Sequence, residues 1–334
     1  MNIAMSTSPL LPRELAFWKG KRTLVTGADG FIGSHLVDAL VQCGVPIVAV
    51  VRRVSRTQVT HRFSNLRDLS GHDGLSFITV NLAGPSATSL LARSNADVWF
   101  HLAADAYVPA SFSQPSDVVL NNISSTINVL EAANISRPAN LIIMSSSEVY
   151  GSCSEPIDED HPLCPTSPYA ASKVACDRMA WSYWQSFGTA LTIARPFNTY
   201  GPRHVYDVVP LFIAAALQNK PIVIHGTGRQ TRDLVYVDDT VYALLSLAAS
   251  PAVGRVFNIG TGTDTSVLDL ATCIIELTES SSQIVFDAPR QGEVQKLQAN
   301  SSRIRSETGW KPLISLRDGI QRNISWARKV DLHD

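Results

Sequence analysis

The sequence predicts an α/β fold built on a doubly wound parallel sheet, with a smaller, discontinuous region after it. Three observations lead to this prediction. Short unbroken apolar segments alternate with helical patterns, as in parallel sheets that are covered on both faces. A glycine-rich turn follows the first apolar segment and opens a helix. After Pro196, loops rich in glycine, proline and arginine separate shorter elements, which indicates a second region.

The apolar segments predict seven strands of one sheet. In chain order they cover residues 22–26, 45–51, 76–80, 98–102, 141–144, 191–194 and 257–260. Helices are predicted at residues 34–42 and 168–187 among others, and this alternation is typical of a Rossmann-type domain. The predicted division is a Rossmann domain of residues 20–196 and 230–262, a substrate-binding region of residues 197–229 and 263–330, and an N-terminal tail of residues 1–19.

Composition narrows the class of function. The 334 residues are 45% apolar and carry a formal net charge of -1, so no bulk charge attracts nucleic acid or anionic lipid. No apolar run approaches the roughly 18 residues that a membrane span needs. The histidines and cysteines lack metal-ligand spacing, so no metal is predicted. Five cysteines without a CxxC pair, together with the lack of a signal peptide, predict a cytoplasmic protein with reduced thiols.

The glycine-rich turn has the spacing GxxGxxG between a predicted strand and a predicted helix. Gly27 permits a tight turn, Gly30 lets the backbone approach a pyrophosphate, and Gly33 allows the helix to pack closely on the strand. The helix N-terminus then faces the anion. The turn therefore predicts a dinucleotide cofactor, and its candidate binding residues are Gly27, Asp29, Gly30, Phe31, Ile32 and Gly33.

The end of the second strand bears on which dinucleotide binds. An acidic residue is expected there if the ribose 2′-hydroxyl is free, but this chain has Arg52 and Arg53. Guanidinium groups suit a 2′-phosphate because they form bidentate, charge-assisted hydrogen bonds. The sequence thus favours NADP. In the alternative, both arginines are solvated and NAD binds through backbone contacts.

Two segments near the middle of the chain carry the candidate chemistry. Tyr169 and Lys173 stand four residues apart at the start of a predicted helix, so their side chains are neighbours. An ammonium beside a phenol favours the phenolate, which can accept a proton. Ser146 and Glu148 follow a predicted apolar strand and emerge at its end. A base, a hydroxyl and a carboxylate beside a nicotinamide predict redox acid–base chemistry.

Together these motifs resemble the extended short-chain dehydrogenase/reductase family, the nucleotide-sugar epimerases and dehydratases. Further matching segments are residues 101–104, 195–202, 232–239, 258–260 and 290–293. The resemblance implies that Tyr169 takes the proton of the sugar 4-hydroxyl while the C4 hydride moves to a tightly held nicotinamide. Ser146 would hydrogen-bond the same oxygen, and Lys173 would lower the pKa of the phenol and hold the ribose.

The resemblance also implies further binding residues and a homodimer. The additional cofactor-binding candidates are Leu102, Ala103, Ala104, Asn122, Tyr169, Lys173 and Pro196. The substrate, a nucleotide-diphosphosugar, would be bound by Ser147, Asn198, Arg203, Arg232 and Arg290. Arginine suits this task because its planar fork matches phosphate oxygens.

Glu148 decides which reaction the resemblance favours. A ketone at C4 acidifies the C5 hydrogen, so a nearby carboxylate can remove it and assist loss of water from C6. The resemblance thus implies a 4,6-dehydratase, most similar to the GDP-mannose type. In the dTDP-glucose type an aspartate acts as the acid where this chain has Ser147, so Glu148 would serve as both base and acid. The alternatives are a 4-epimerase, a UDP-glucuronate decarboxylase and a catalytically silent NADP-sensing protein.

Overall fold

The structure, a computed structural model, describes residues 12–52, 64–69, 71–290 and 292–330. The first part of the chain forms α1 (Pro12–Trp18), β1 (Thr23–Thr26), α2 (Phe31–Gln42), β2 (Ile47–Val51), β3 (Leu75–Thr79), α3 (Ala87–Ala92), β4 (Val98–His101), α4 (Val108–Ser113), α5 (Pro115–Ser136) and β5 (Asn140–Met144). The next part forms α6 (Pro168–Phe187), β6 (Leu191–Pro196), β7 (Asn198–Tyr200), α7 (Val208–Leu217), β8 (Ile222–His225), β9 (Thr231–Tyr236) and α8 (Val237–Ala248). The chain continues with β10 (Val256–Ile259), β11 (Asp264–Ser266), α9 (Val267–Thr278), β12 (Ile284–Asp287), β13 (Lys296–Leu297), α10 (Ser302–Thr308) and α11 (Leu316–Ala327).

Seven parallel strands form the central sheet in the order β10-β6-β5-β4-β1-β2-β3. The chain starts in the middle and winds outward in both directions, which confirms the predicted doubly wound fold. All residues of β1, β2, β4 and β6 are buried, whereas the edge strand β3 is partly exposed. Both faces are therefore covered by helices, and this explains the unbroken apolar strands.

Alternate residues of each strand enter two different cores. Leu24 packs with buried residues of α3, α5 and α6, whereas Val25 packs with buried residues of α2 and α8. This alternation follows from the two-residue period of a strand. It places α2 and α6, which begin at the glycine turn and at Pro168, on opposite faces of the sheet. Parallel strands end at one edge, so both helices begin near the same cleft.

The smaller region forms beyond Pro196. Strands β7, β9, β11 and β13 pair in a second sheet, and β8 pairs with β12. The predicted return of the chain to the large sheet occurs at β10. In contrast, β9 lies in the range assigned to the Rossmann domain but pairs only within the second sheet among the described strands. The exact domain boundaries stay a prediction.

The N-terminal segment contributes to the core more than the sequence indicated. Residues 12–18, which we assigned to an N-terminal tail, form α1. Trp18 at its end is 2% exposed, and its ring lies 6.2 Å from that of Phe100. An isolated amphipathic segment of seven residues gives too weak a periodic signal to be recognised. Within the described residues, no helix is both long and apolar enough to cross a membrane.

Candidate active site

The glycine turn connects β1 to α2 and has the geometry that its spacing predicts. Gly27 has a φ of +66°, and a Cβ on it would lie 2.9 Å from the backbone nitrogen of Ala103. A Cβ on Gly33 would lie 2.0 Å from the carbonyl oxygen of Gly27. Around Gly30, the closest approach is that same oxygen at 3.1 Å, and the remaining space is open. The turn therefore fits a dinucleotide pyrophosphate, because the backbone comes close without side chains in the way and α2 begins at Phe31, where a helix N-terminus favours an anion.

The loop after β4 forms the other side of the cofactor cleft. The backbone N–H groups of Leu102 and Ala103 donate to the hydroxyl of Thr26 at 3.2 and 3.3 Å. Asn122 accepts from the backbone N–H of Asp105 at 2.7 Å and donates to its carbonyl at 3.2 Å. Because these bonds occupy the Asn122 side chain, we assign it to holding the 102–105 loop in place.

His101 supports this loop as a structural residue. Its Nδ1 lies 2.9 Å from the Thr26 hydroxyl and its Nε2 lies 3.1 Å from the Thr126 hydroxyl. Burial, together with the charge of Lys173, lowers the pKa of His101 to about 3. The imidazole is thus neutral at pH 7, and the two hydroxyls satisfy both of its nitrogens.

Tyr169 and Ser146 come together where α6 begins and β5 ends. The hydroxyl of Ser167 caps α6 by accepting from the backbone N–H of Ala170 at 3.1 Å, which fixes the first turn. Burial raises the pKa of Tyr169, and its hydrogen bond with Ser146 lowers that pKa. The charge of Glu148 raises it further. The phenol is therefore protonated in the protein alone at pH 7.

Lys173 lies on the same helix but makes a different contact from the one that its spacing predicts. Its ammonium is buried and donates to the carbonyl oxygen of Met144, the last residue of β5, at 2.5 Å. Burial lowers the pKa of Lys173, and the charge of Asp177 raises it. The ammonium is thus fixed at the strand end, next to the cleft, and its action on the phenol stays a prediction.

Glu148 belongs to the group of Tyr169 and Ser146. Its backbone N–H donates to the Ser146 hydroxyl at 3.1 Å, and its side chain is partly buried. Burial raises the pKa of the Glu148 carboxyl, the charge of Arg232 lowers it, and the charge of Asp207 raises it again. A carboxyl whose charged form is disfavoured in this way is a stronger base than an exposed one.

Arg232, one of the two predicted phosphate ligands, is held by hydrogen bonds to the backbone. Its Nη1 donates to the carbonyl oxygens of Val294 at 2.7 Å and Thr231 at 2.9 Å. Burial lowers the pKa of Arg232, the charge of Glu148 raises it, and the charge of Arg290 lowers it. The two predicted phosphate ligands, Arg232 and Arg290, therefore lie near each other, and two guanidiniums are well suited to a diphosphate.

The remaining substrate candidates lie in different surroundings. The Oδ1 atom of Asn198 is buried and has no hydrogen-bond partner among the described residues, so it is available to a donor of a ligand. Ser147 is only 2% exposed. Arg203 forms an ion pair with Asp38 of α2 at 2.8 Å, so its guanidinium is engaged on the cofactor helix rather than with Arg232.

The cofactor candidates beyond the glycine turn also lie in different surroundings. Pro196 ends β6 at the same sheet edge as Met144. Arg52 is 62% exposed and pairs with Asp105 at 2.9 Å, so a carboxylate already neutralises the guanidinium that was expected to bind a 2′-phosphate. Arg53 lies outside the described residues.

Sequence reasoning missed two residues of the cleft, Tyr206 and Asp207. Both raise the pKa of Tyr169 through their charge, so both lie near the phenol. They belong to the connection between β7 and α7, which resembles an ordinary surface loop in sequence. Across the part of the chain that the structure describes, no three side chains are grouped as they would be around a metal ion.

Known proteins are similar to this chain over most of its length. The family described as GDP-mannose 4,6 dehydratase matches residues 24–323. A UDP-glucose 4-epimerase of Mycolicibacterium smegmatis is 34% identical over 313 residues, covering 92% of this chain and 98% of the relative. A dTDP-D-glucose 4,6-dehydratase of Bos taurus is 34% identical over 322 residues, covering 92% of this chain and 89% of the relative.

A solved structure is also similar to this chain over most of its length. The UDP-glucuronic acid 4-epimerase from Bacillus cereus, crystallised with UDP-glucuronic acid and NAD, is similar with a TM-score of 0.86 at 30% identity. The similarity covers 92% of this chain and 99% of that one. Because the relatives include both epimerases and a dehydratase, the reaction has to be argued from the site. The match over residues 24–323 shows that this chain belongs to the GDP-mannose 4,6-dehydratase family, within the extended short-chain dehydrogenases/reductases.

Proposed function

We propose that this protein is a nucleotide-diphosphosugar 4,6-dehydratase, which oxidises a hexose at C4, removes water across C5 and C6, and leaves a 4-keto-6-deoxy sugar. One observation carries the proposal: Glu148 is partly buried beside Ser146 and acts on Tyr169 through its charge. A carboxylate next to the oxidising phenol can remove the C5 proton that a C4 ketone makes acidic. The family match supports the same reaction.

The roles of the side chains follow from their positions. Tyr169 takes the proton of the sugar 4-hydroxyl, Ser146 hydrogen-bonds the same oxygen, and Glu148 removes the C5 proton. A bound oxidised nicotinamide supplies a hydride acceptor and a positive charge, and a positive charge lowers the pKa of a nearby phenol. Arg232 and Arg290 bind the diphosphate, and the Oδ1 of Asn198, which has no partner among the described residues, accepts from the substrate.

The experiment that tests the proposal reads the mass of the product. The protein is incubated with GDP-mannose, UDP-GlcNAc, GDP-GlcNAc, dTDP-glucose and UDP-glucuronate in turn. A product that has lost one water supports dehydration. An unchanged mass with altered NMR couplings indicates a 4-epimerase, and loss of carbon dioxide from UDP-glucuronate indicates a decarboxylase. Either of these two results would contradict the proposal, as would the lack of any turnover.

The cofactor that we propose is NAD, which corrects the preference for NADP drawn from sequence. Asp105 already pairs with Arg52, and a 2′-phosphate beside this carboxylate would be repelled. NAD is also the cofactor in the crystal of the Bacillus cereus epimerase. The glycine turn, the 102–104 loop, Tyr169 and Lys173 would hold it. The cofactor has to stay bound through the reaction because the hydride lost at C4 is needed again at C6.

We expect NAD to bind at least about tenfold more tightly than NADP, which corresponds to roughly 1.4 kcal/mol. Dissociation constants for both, measured by calorimetry on cofactor-free protein, check this expectation. In Arg52→Ala the preference for NAD should persist, because the arginine is not required for it. Tighter binding of NADP to the wild type, lost in Arg52→Ala, would restore the prediction made from sequence.

We also propose that the protein is a cytoplasmic homodimer whose subunits meet through α5 and α6. These neighbouring helices carry large apolar side chains at the surface, namely Leu120 (63% exposed), Ile135 (66%), Trp181 (43%) and Phe187 (52%). Such apolar patches are typical of subunit interfaces. Light scattering should give twice the chain mass of 36.3 kDa, and the double variant Leu120→Asp, Trp181→Asp should give one chain mass. A wild-type protein of one chain mass would contradict the dimer.

A further inference from the structure

A row of four aromatic rings connects the glycine turn to the loop after β4. Phe31 is the first residue of α2, and the ring of His204 stacks face to face on it, with centroids 4.5 Å apart. Tyr206 contacts His204 edge to face, with centroids 4.7 Å apart, and lies 5.5 Å from the ring of Tyr107, the residue before α4. His204 and Tyr206 belong to the connection between β7 and α7, and we refer to residues 202–206 as the strap.

The row of rings runs from one face of the central sheet to the other. Helix α2 covers one face, whereas α4 packs on α5 and α6, which cover the opposite face. Both α2 and α4 begin shortly after a strand of that sheet, namely the neighbouring strands β1 and β4. A link between the starts of these helices has to pass over the edge where the parallel strands end, and this edge is where doubly wound folds bind their ligands. The strap therefore crosses the cofactor cleft.

The two sides of the cleft also meet at the sheet. A Cβ on Gly27 would lie 2.9 Å from the backbone nitrogen of Ala103, so no side chain separates the glycine turn from the loop after β4 at this point. The strap joins the same two sides a second time, through the rings of Phe31 and Tyr107. The cleft is thus bounded by the sheet edge on one side and by the strap on the other.

The two ends of the strap are held unequally. At the α2 end, the carbonyl oxygen of Pro202 accepts from an imidazole of α2 at 2.9 Å, and Arg203 pairs with a carboxylate of the same helix at 2.8 Å. These contacts add to the stacking of His204. At the other end, Tyr206 contacts the ring of Tyr107, which is 48% exposed. The strap is therefore expected to stay attached to α2 and to open at Tyr107.

His204 also offers a polar atom to a ligand in the cleft. Its side chain is 5% exposed, and its Nδ1 is buried without a hydrogen-bond partner among the described residues. Buried polar atoms are nearly always hydrogen-bonded in folded proteins. Nδ1 is therefore available to a polar group of a bound molecule, as is expected of a residue that encloses a binding site.

We propose that the strap closes the cofactor site and controls how fast the dinucleotide enters and leaves, with the contact between Tyr206 and Tyr107 as the point that opens. The inference rests on the cofactor site proposed above and applies to a dehydratase and an epimerase alike. In either reaction the hydride taken from C4 has to return to the same sugar. Release of reduced cofactor between the two steps would end the turnover, and a closed site prevents this release.

The test measures the exchange of NADH, whose fluorescence changes on binding. Stopped-flow mixing of the loaded protein with excess NAD gives the rate of release, and mixing of cofactor-free protein with NADH gives the rate of association. We expect both rates to rise about tenfold in Tyr206→Ala, which removes two ring contacts. A tenfold change corresponds to roughly 1.4 kcal/mol, the upper end for one aromatic pair. Tyr107→Ala should also raise both rates, because it removes the contact at which the strap opens.

Two variants serve as controls. Tyr206→Phe keeps the ring and should exchange NADH at the wild-type rates. Phe286→Ala removes a ring that is 57% exposed on β12, in the small sheet of β8 and β12 outside the cleft, and should also leave both rates unchanged. Faster association is the most informative result, since a damaged site would bind more weakly but would not admit the cofactor sooner.

Unchanged rates in both alanine variants would overturn the role of the strap. Faster release without faster association would overturn it too, because the rings would then contact the cofactor without closing its site. A wild type that binds neither NAD nor NADP in calorimetry would overturn the proposed cofactor site, and the role of the strap with it. The failure of the strap and the failure of the cofactor site are thus distinguishable.

Discussion

Glu148→Gln is expected to stop dehydration while the substrate is still oxidised at C4. Glutamine keeps the shape of the side chain, and the Ser146 contact comes from the backbone N–H of residue 148, so Tyr169 and Ser146 retain their geometry. The amide has no basic oxygen for the C5 proton, and we expect turnover to fall at least about 1,000-fold, within the range of lost acid–base groups. Because the hydride cannot return to C6, reduced cofactor should accumulate and be visible by absorbance.

The matched control is Glu155→Gln, which changes the same group at an exposed position of the loop that follows. This variant should dehydrate the substrate at the wild-type rate. Full turnover in Glu148→Gln would contradict the role of Glu148. Loss of turnover without any reduced cofactor would show that the carboxyl is needed for oxidation rather than for elimination.

Tyr169→Phe should abolish the reaction one step earlier. Without the phenol oxygen nothing accepts the proton of the 4-hydroxyl, so turnover should fall at least about 1,000-fold and no reduced cofactor should form. In the wild type, burial raises the pKa of Tyr169, so the ionised phenol becomes more abundant as pH rises. The rate of C4 oxidation in single-turnover experiments should therefore increase with pH, and this dependence should vanish in the variant.

Tyr183→Phe, on the same helix but outside the cleft, is the control for this substitution and should retain activity. Reduced cofactor in Tyr169→Phe at the wild-type rate would show that another group acts as the base. Tyr169→Phe and Glu148→Gln together separate the steps. The reaction stops before C4 oxidation in the first variant and after it in the second.

The fold could be predicted from the sequence because its signals are local. Each of the seven central strands overlaps one of the segments predicted as a strand, and the helix of residues 168–187 begins and ends as predicted. Gly27 and Gly33 revealed the cofactor turn because close backbone approach there excludes any side chain. The second sheet was not predicted, since β7, β11 and β13 contain only two or three residues each and give no periodic pattern.

That Ser146, Glu148 and Tyr169 lie together could also be predicted, because they belong to two short segments; their catalytic roles stay a prediction. The position of Tyr206 and Asp207 near Tyr169 could not be predicted, because it depends on the path of the connection between β7 and α7 and not on their sequence neighbours. The acidic loop gives a similar example. Glu159 looks solvated in sequence, yet it is 8% exposed and accepts from the backbone N–H of Asn258 at 2.8 Å.

The most direct test of the account uses a nucleotide-hexose that carries deuterium at C4, with the protein's own bound cofactor. If oxidation at C4 is followed by elimination and return of the hydride, the label should appear in the methyl group at C6 of a product that has lost water. Label retained at C4 in a sugar of unchanged mass would contradict the account and show that the site only inverts the 4-hydroxyl.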